Sequence, residues 1–233
     1  MRGETLAALV EAVGSHVPVV LATRTDTGEQ ALLYPLADEA PATKDAWPRE
    51  EAAAALLADR ACTVEATDGV VFLRPYNPPV RVVVVGAVHV AQALVPLVSA
   101  AGYEPVLIDP RSAFATETRF PGVRMIRSWP EEGLAELGPD HRTAIVALTH
   151  DPKLDDPAIR FALASPAFYV GALGSRRTHE KRVTRLLEHG VEREAVDRIS
   201  APIGLSIGAR TPEEIAVSII AEIVSALRVP AQA

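Results

Sequence analysis

The 233 residues are 48% hydrophobic, with a formal net charge of −7 and a sequence pI near 5.4. No segment is dominated by Lys and Arg, which argues against DNA or RNA as a partner, because affinity for nucleic acid rests on clustered cations facing phosphates. A single cysteine, Cys62, leaves no intrachain disulfide framework and no cysteine metal cluster, and fits a reducing, cytoplasmic setting.

Along the chain, the spacing predicts a helix over Gly3 to Val13 that reads as charged and amphipathic rather than as a signal peptide. A strand over Val17 to Arg24 follows, then a turn at "TDTGE" and a second strand over Gln30 to Pro35. A polar connection, "ADEAPATKDAWPRE", leads to an Ala-rich helix from Pro48 to Asp59, where Pro48 suits a first helical position. Two short strands, "ACTVEA" and "VVFLRP", flank "TDG", a hairpin signal. "PYNPPV", Pro75 to Val80, holds three prolines in six residues and continues neither strand nor helix. The domain boundary is placed there, giving a small α+β domain over residues 1–75 and a second domain over 81–228.

After Arg81 strands and helices alternate. Strands are expected at 81–86, 105–109, 123–127, 143–149 and 167–172, with helices at 88–101, 154–164, 177–189 and 211–228. Such alternation with short connections gives an α/β domain with a parallel sheet and helices on both faces. The uncharged run Val82 to Tyr103 is nominally long enough to span a bilayer. Its Gly, His, Gln, Pro and Ser, and the four valines at its start, favour instead a buried strand feeding a covered helix. Pro96 is expected to kink that helix. In "TPEE", Thr211, Pro212 and Glu214 have the arrangement of a capping box.

Ligands of open α/β sheets sit beyond the carboxyl ends of the strands, where strand order reverses. "VVVVGAVHVA" approximates the dinucleotide fingerprint G-x-G-x-x-G/A, with Gly86 first, Ala91 last and Val88 in place of the second glycine. A valine there crowds the approach of backbone to a pyrophosphate, which disfavours ordinary NAD binding. The strand ends deliver Gly86 and His89, Asp109 and Arg111, Thr149, His150 and Asp151, and the run Gly171, Gly174, Ser175, Arg176 and His179. Gly204 and Gly208 lie in a glycine-bearing loop before the last helix. Asp109 has the spacing of a ribose-binding carboxylate, and equally that of a strand end capping a turn before Pro110. Arg176 and Arg177 suit an anion at a helix start, or a solvated basic turn shared with Lys181 and Arg182. The three histidines at 89, 150 and 179 match no local zinc-ligand motif, so no protein-ligated metal is expected. A Ser-His-Asp hydrolase is set aside for want of a nucleophile elbow.

"RVVVVGAVHVAQALVPLVSAAGYEPVLIDPR", "RFPGV", "LTHD", "YVGALGSRRTH" and "PIGLSIGARTPEEIAVSIIAEI" together resemble the C-terminal Rossmann-like domain of the XdhC/CoxI family over Arg81 to Arg228. The resemblance implies a non-catalytic maturation factor. It would bind a molybdopterin-type molybdenum cofactor, assist its sulfuration and deliver it to an apo hydroxylase of the xanthine dehydrogenase type, with a cysteine desulfurase as a further partner. The matching residues are the fourteen just named. Val88 and Ser206 depart from the family's glycine and aspartate. The family's N-terminal "GSxxRxxG"-like loop and cysteine-bearing "GGCVE" segment have no counterpart here; Cys62 reads as buried structure. Two alternatives stand beside this reading: an NAD(P)-dependent oxidoreductase with Asp109 on the ribose and His150 as proton donor, and a recruitment factor with a vestigial nucleotide site. An exposed edge strand or the last helix offers a surface for a homo-oligomer.

Overall fold

The computed structural model describes residues 3–37 and 47–229 and divides the chain into two compact units, residues 1–78 and 79–233. Most of the polar connection expected after residue 36 lies outside the described residues.

The first unit is a four-stranded antiparallel sheet in the order β2-β1-β4-β3, from β1 (Val19–Arg24), β2 (Gln30–Leu33), β3 (Cys62–Ala66) and β4 (Gly69–Tyr76). The hairpin turn falls on Thr67 and Asp68, as the "TDG" signal predicts. Alternation along β1 sends Val20 and Ala22 to one face and Val19 and Leu21 to the other. The first pair packs with Ala52, Ala55 and Leu56 of α2 (Arg49–Leu57), the second with Leu9 and Ala12 of α1 (Gly3–Gly14), so the central strand is covered on both sides. Pro48 stands just before α2 rather than inside it. Cys62 is half-buried against the α2-side cluster.

The second unit is a six-stranded parallel sheet: β5 (Arg81–Val85), β6 (Glu104–Ile108), β7 (Arg124–Ile126), β8 (Thr143–Ala147), β9 (Tyr169–Ala172) and β10 (Ile199–Ser200). Its order, β10-β9-β8-β5-β6-β7, is that of doubly wound dinucleotide-binding sheets, with the reversal between β5 and β8. Val82 to Val85 are all buried because even-numbered valines face α3 (His89–Ala100) and α8 (Pro212–Arg228). Odd-numbered ones face α4 (Pro130–Leu137) and α5 (Pro152–Ala164). α6 (Arg176–Glu188) and α7 (Arg193–Val196) complete the second layer. Among the described residues no helix is long and apolar enough to cross a membrane.

Three elements lie outside the expected set: α4, α7 and the two-residue β10. The helix α3 runs through Pro96, which sits on its exposed face, where water can serve the carbonyl that proline leaves without a donor. The capping box of α8 forms: Thr211 Oγ1 accepts from Glu214 N and Glu214 accepts from Thr211 N.

Candidate functional site at the carboxyl edge of the parallel sheet

The reversal point brings the loop after β5 against the loop after β8. Gly86 has φ +107°, and a Cβ placed on it would overlap Thr149 Cγ2, so glycine is required there by both backbone and space. Val88 is extended (φ −92°, ψ 177°), the N-cap of α3, and its partly buried side chain packs on the core beside α3. It offers no side-chain acceptor, so the first-turn amides of α3 carry no cap. The helices that follow β8 and β9 differ: Asp151 caps α5 by accepting from Lys153 N, and Ser175 caps α6 by accepting from Thr178 N.

Asp109, at the end of β6, is completely buried. Its Oδ2 accepts from Ala87 N at 2.8 Å and from Arg111 Nη2 at 2.7 Å; its Oδ1 accepts from Arg111 N and Nε at 2.9 Å. Burial pushes its pKa up, but the Arg111 fork and the two amides outweigh this and hold it below the ordinary carboxylate value. Four donors fill a carboxylate's acceptor capacity. Asp109 therefore positions the 86–87 loop and Arg111 rather than facing a ligand. Arg111 is 38% exposed, and its guanidinium lies 4.7 Å from the centre of the exposed Phe114 ring.

On the other side of the reversal, Thr149 and His150 turn on a residue that sequence reasoning does not single out, Asp155. Asp155 Oδ1 accepts from Thr149 Oγ1 at 2.6 Å and from Thr149 N at 3.2 Å, and its Oδ2 accepts from His150 N at 3.0 Å. This holds His150 at φ +63°, a conformation a non-glycine residue adopts only when its surroundings impose it. The His150 side chain is left exposed. Behind Asp155 lies Arg182, 2% exposed, with Nη2 3.5 Å from Asp155 Oδ2 and 3.2 Å from Leu173 O. Its Nε and Nη1 have no hydrogen-bond partner among the described residues. Burial raises the pKa of Asp155 and lowers that of Arg182 from their ordinary values, each against the attraction of the other. Arg182 is thus not part of a solvated basic turn, whereas Arg176 and Arg177 are exposed at the start of α6.

His179 is half-buried one turn into α6, and its Nδ1 has no partner among the described residues. Burial, then Arg182 and Arg193, lower its pKa. Gly171 lies inside β9, paired with Val146 and Ser200, and a Cβ there would crowd Ile203 and Tyr169. Its role is close packing, and it is not presented at the edge. Gly174 precedes the α6 cap.

The loop with Gly204 and Gly208 is tied down by Glu222 of α8, which accepts from Gly204 N at 2.8 Å and from the Tyr169 hydroxyl. Burial and this carboxylate push the Tyr169 pKa far up. Residues 204–208 spell G-L-S-I-G, which does match the letters of a nucleophile elbow. Ser206 stands exposed in mid-loop, well separated from both β10 and α8, not on a sharp strand-to-helix turn, so the match carries no elbow geometry. Among the described residues no group of three or more His, Cys, Asp or Glu side chains is placed to hold a metal ion.

Residues 82–223 match the family model described as the XdhC Rossmann domain. The chain is 33% identical over 150 residues to the molybdenum cofactor insertion chaperone PaoD of Escherichia coli, covering 64% of this chain and 41% of that protein. It is also 33% identical over 154 residues to a probable xanthine dehydrogenase subunit of Bacillus subtilis, covering 66% and 44%. The chain thus spans less than half the length of these curated relatives. A crystal structure of a xanthine dehydrogenase from Bacillus halodurans superposes with a TM-score of 0.70 at 23% identity, over 98% of this chain and 65% of that one, a likeness of fold. With most of its second unit matched in this way, the chain belongs to the XdhC family.

Proposed function

We propose that this protein is a maturation factor that binds a molybdopterin-type molybdenum cofactor at the carboxyl edge of its parallel sheet and hands it to an apo molybdenum hydroxylase of the xanthine dehydrogenase type. Family membership and the names of the two curated relatives support the class of role. The observation that carries the placement is the uncapped start of α3 at the reversal point, where Gly86 brings backbone against Thr149. Amide donors free of side-chain partners at a helix N-terminus suit an anionic group.

The residues present fit such a cofactor, whose phosphate and dithiolene ends are both anionic. First-turn amides of α3 without a side-chain cap, and the exposed side chains of His89, His150 and Arg176 at the carboxyl edge of the same sheet, offer donors to it. Asp109 and Asp155 position these loops from behind. The bound cofactor supplies the molybdenum centre on which the client hydroxylase depends. This chain's part is to orient it, keep water from it and release it. Sulfuration during residence, with a cysteine desulfurase as sulfur source, and assembly as a homo-oligomer belong to the same reading. The strand order also suits a dinucleotide, but the carboxylate placed to accept from the ribose of NAD(P) is already spent, since both oxygens of Asp109 are engaged.

The test is expression in cells that make molybdenum cofactor, purification without oxygen, and mass spectrometry of the released small molecules with metal analysis. The expected result is a pterin with near-equimolar molybdenum, diminished in His89→Ala and Arg176→Ala, which fold normally because both residues are exposed. Release of NAD(P), or of nothing, overturns it.

A further inference from the structure

The cleft between the start of α5 and the face of α6 is a cavity of about 360 Å³ at the same sheet edge. Its lining from α6 includes Arg177, Lys181, Arg182 and Arg185, and its acidic lining consists of Asp155 and Asp156 from α5. Both carboxylates are already engaged. Asp155 serves Thr149, His150 and Arg182, and Asp156 takes the Arg185 fork at 2.5 and 3.0 Å. Arg177 and Lys181 remain exposed at the mouth.

Arg182 is the informative group. A buried guanidinium normally has its donors satisfied, because leaving them bare forfeits hydration without replacement. Arg24, comparably buried in the first unit, directs Nε to Glu29 and Nη1 to Asp68 O. Among the described residues Arg182 finds no acceptor for Nε or Nη1; the nearby Asp156 Oδ1 is 3.9 Å from Nε, beyond hydrogen-bond reach. An acceptor with several oxygens in the cavity supplies what the protein does not. Two idle donors on one guanidinium that lines the cavity, backed by two further cations, suit an anion with several acceptor oxygens, such as a phosphoryl group.

We propose that this cleft is a phosphomonoester site, with Arg182 as its floor and Arg177 and Lys181 closing over the dianion. It deepens the function proposed above, since the pterin's phosphate is one source of that group; a nucleotide 5′-phosphate is another. The chemistry recognised is the same.

Calorimetry on the full chain, with inorganic phosphate as the probe in a low-salt buffer free of other multivalent anions, tests it. The expected result is saturable binding to one site. The double variant Arg177→Ala with Lys181→Ala, at exposed positions that leave folding intact, weakens it about tenfold or more, the size of losing charge-assisted hydrogen bonds. Arg182→Lys, which keeps a cation but not the guanidinium's idle donors, weakens it similarly; Arg160→Ala, a surface cation of α5 outside this cleft, leaves it unchanged. AMP is expected to bind and adenosine not. Absence of saturable phosphate binding, equal binding in the wild type and the double variant, or adenosine binding as well as AMP overturns the site.

Cofactor retention in the double variant separates the sources. Its loss together with phosphate binding assigns the cleft to the pterin's phosphate, and its persistence assigns the cleft to another phosphomonoester. Phosphate binding by a protein that never retains pterin supports the cleft and refutes the function proposed above.

Discussion

Gly86→Ala tests the closest approach in the site. The substituted residue would hold φ near +107°, and its Cβ would overlap Thr149 Cγ2 with Thr149 Cβ and N at 3.4 Å. The backbone conformation costs about 1–2 kcal/mol for a residue with a Cβ. Forcing a methyl into a packed contact costs about 1–3 kcal/mol more. Together about 2–5 kcal/mol of the stability of the second unit is lost, a fall in its thermal midpoint of about 4–20 °C for a unit of this size. Thr149→Ser removes the clashing methyl and keeps the hydroxyl that bonds Asp155 Oδ1 at 2.6 Å. Combined with Gly86→Ala it should therefore recover the steric part and leave the backbone part. Scanning calorimetry of the four proteins of this double-mutant cycle should give a coupling of about 1–3 kcal/mol in the rescuing direction. Additive losses would mean that the two loops do not press on each other as described, and an undiminished midpoint in Gly86→Ala alone would refute the whole argument.

Asp109→Asn removes a fully buried charge but leaves Arg111 partly in water, so the loss is discounted to about 2–3 kcal/mol at neutral pH. Because Asp109 titrates below its ordinary value of 3.8, its contribution is complete above that value and is lost as pH falls through the lower native value. Urea unfolding should accordingly show the gap between wild type and Asp109→Asn narrowing on acidification below pH 3.8, and a gap independent of pH would be contrary to this assignment. Glu222→Gln weakens the anchor of the Gly204 loop; hydrogen exchange at the Gly204 amide should accelerate about tenfold, since a bond to a charged acceptor contributes about 1.5 kcal/mol or more. Exchange at the wild-type rate would show that the loop is held otherwise. Thr211→Ala breaks the capping box of α8 and should cost about 1 kcal/mol, or about 2–4 °C in the midpoint, with no change counting against the cap.

Where the physics is local, the chain reads directly. Four successive valines can be buried on both sides only in a covered parallel strand, and "TPEE" specifies its helix start without tertiary help. The helix α4 shows the opposite case. Pro130 at its first turn and Gly138, left-handed at its end, are ordinary helix punctuation, but Gly133 in its middle argues against a helix. The glycine is there because a Cβ would meet Ile108, Ile126 and Ser128 at 3.0 to 3.1 Å, a close approach to the sheet that no local pattern encodes. In the site, glycine turns and strand ends locate Gly86, Thr149 and Ser175. They misplace Gly171, which sits inside β9, and give Asp109 an outward role. Asp155 goes unmarked in the sequence and Arg182 reads as part of a solvated basic turn, because each stands at a charged position on a helix; only the packing of α5 on α6 joins residues 27 positions apart.

The two carboxylate–arginine pairs explain why a ligand should engage one half of the edge more tightly than the other. Asp109 with Arg111, and Asp155 with Arg182, perform the same task on either side of the reversal: a carboxylate accepts from loop amides while an arginine offsets its charge. They differ in what is left over. Arg111 closes a fork on Asp109, so that pair is complete and a ligand gains little by approaching it. Arg182 reaches Asp155 at only 3.5 Å through one nitrogen and keeps two buried donors idle. An incomplete buried pair destabilises the free protein, and a ligand that completes it recovers that free energy on binding. The same asymmetry predicts that phosphate raises the thermal midpoint of the wild type, and that it raises that of Arg182→Lys less. Equal shifts in the two proteins would place the anion elsewhere on the edge.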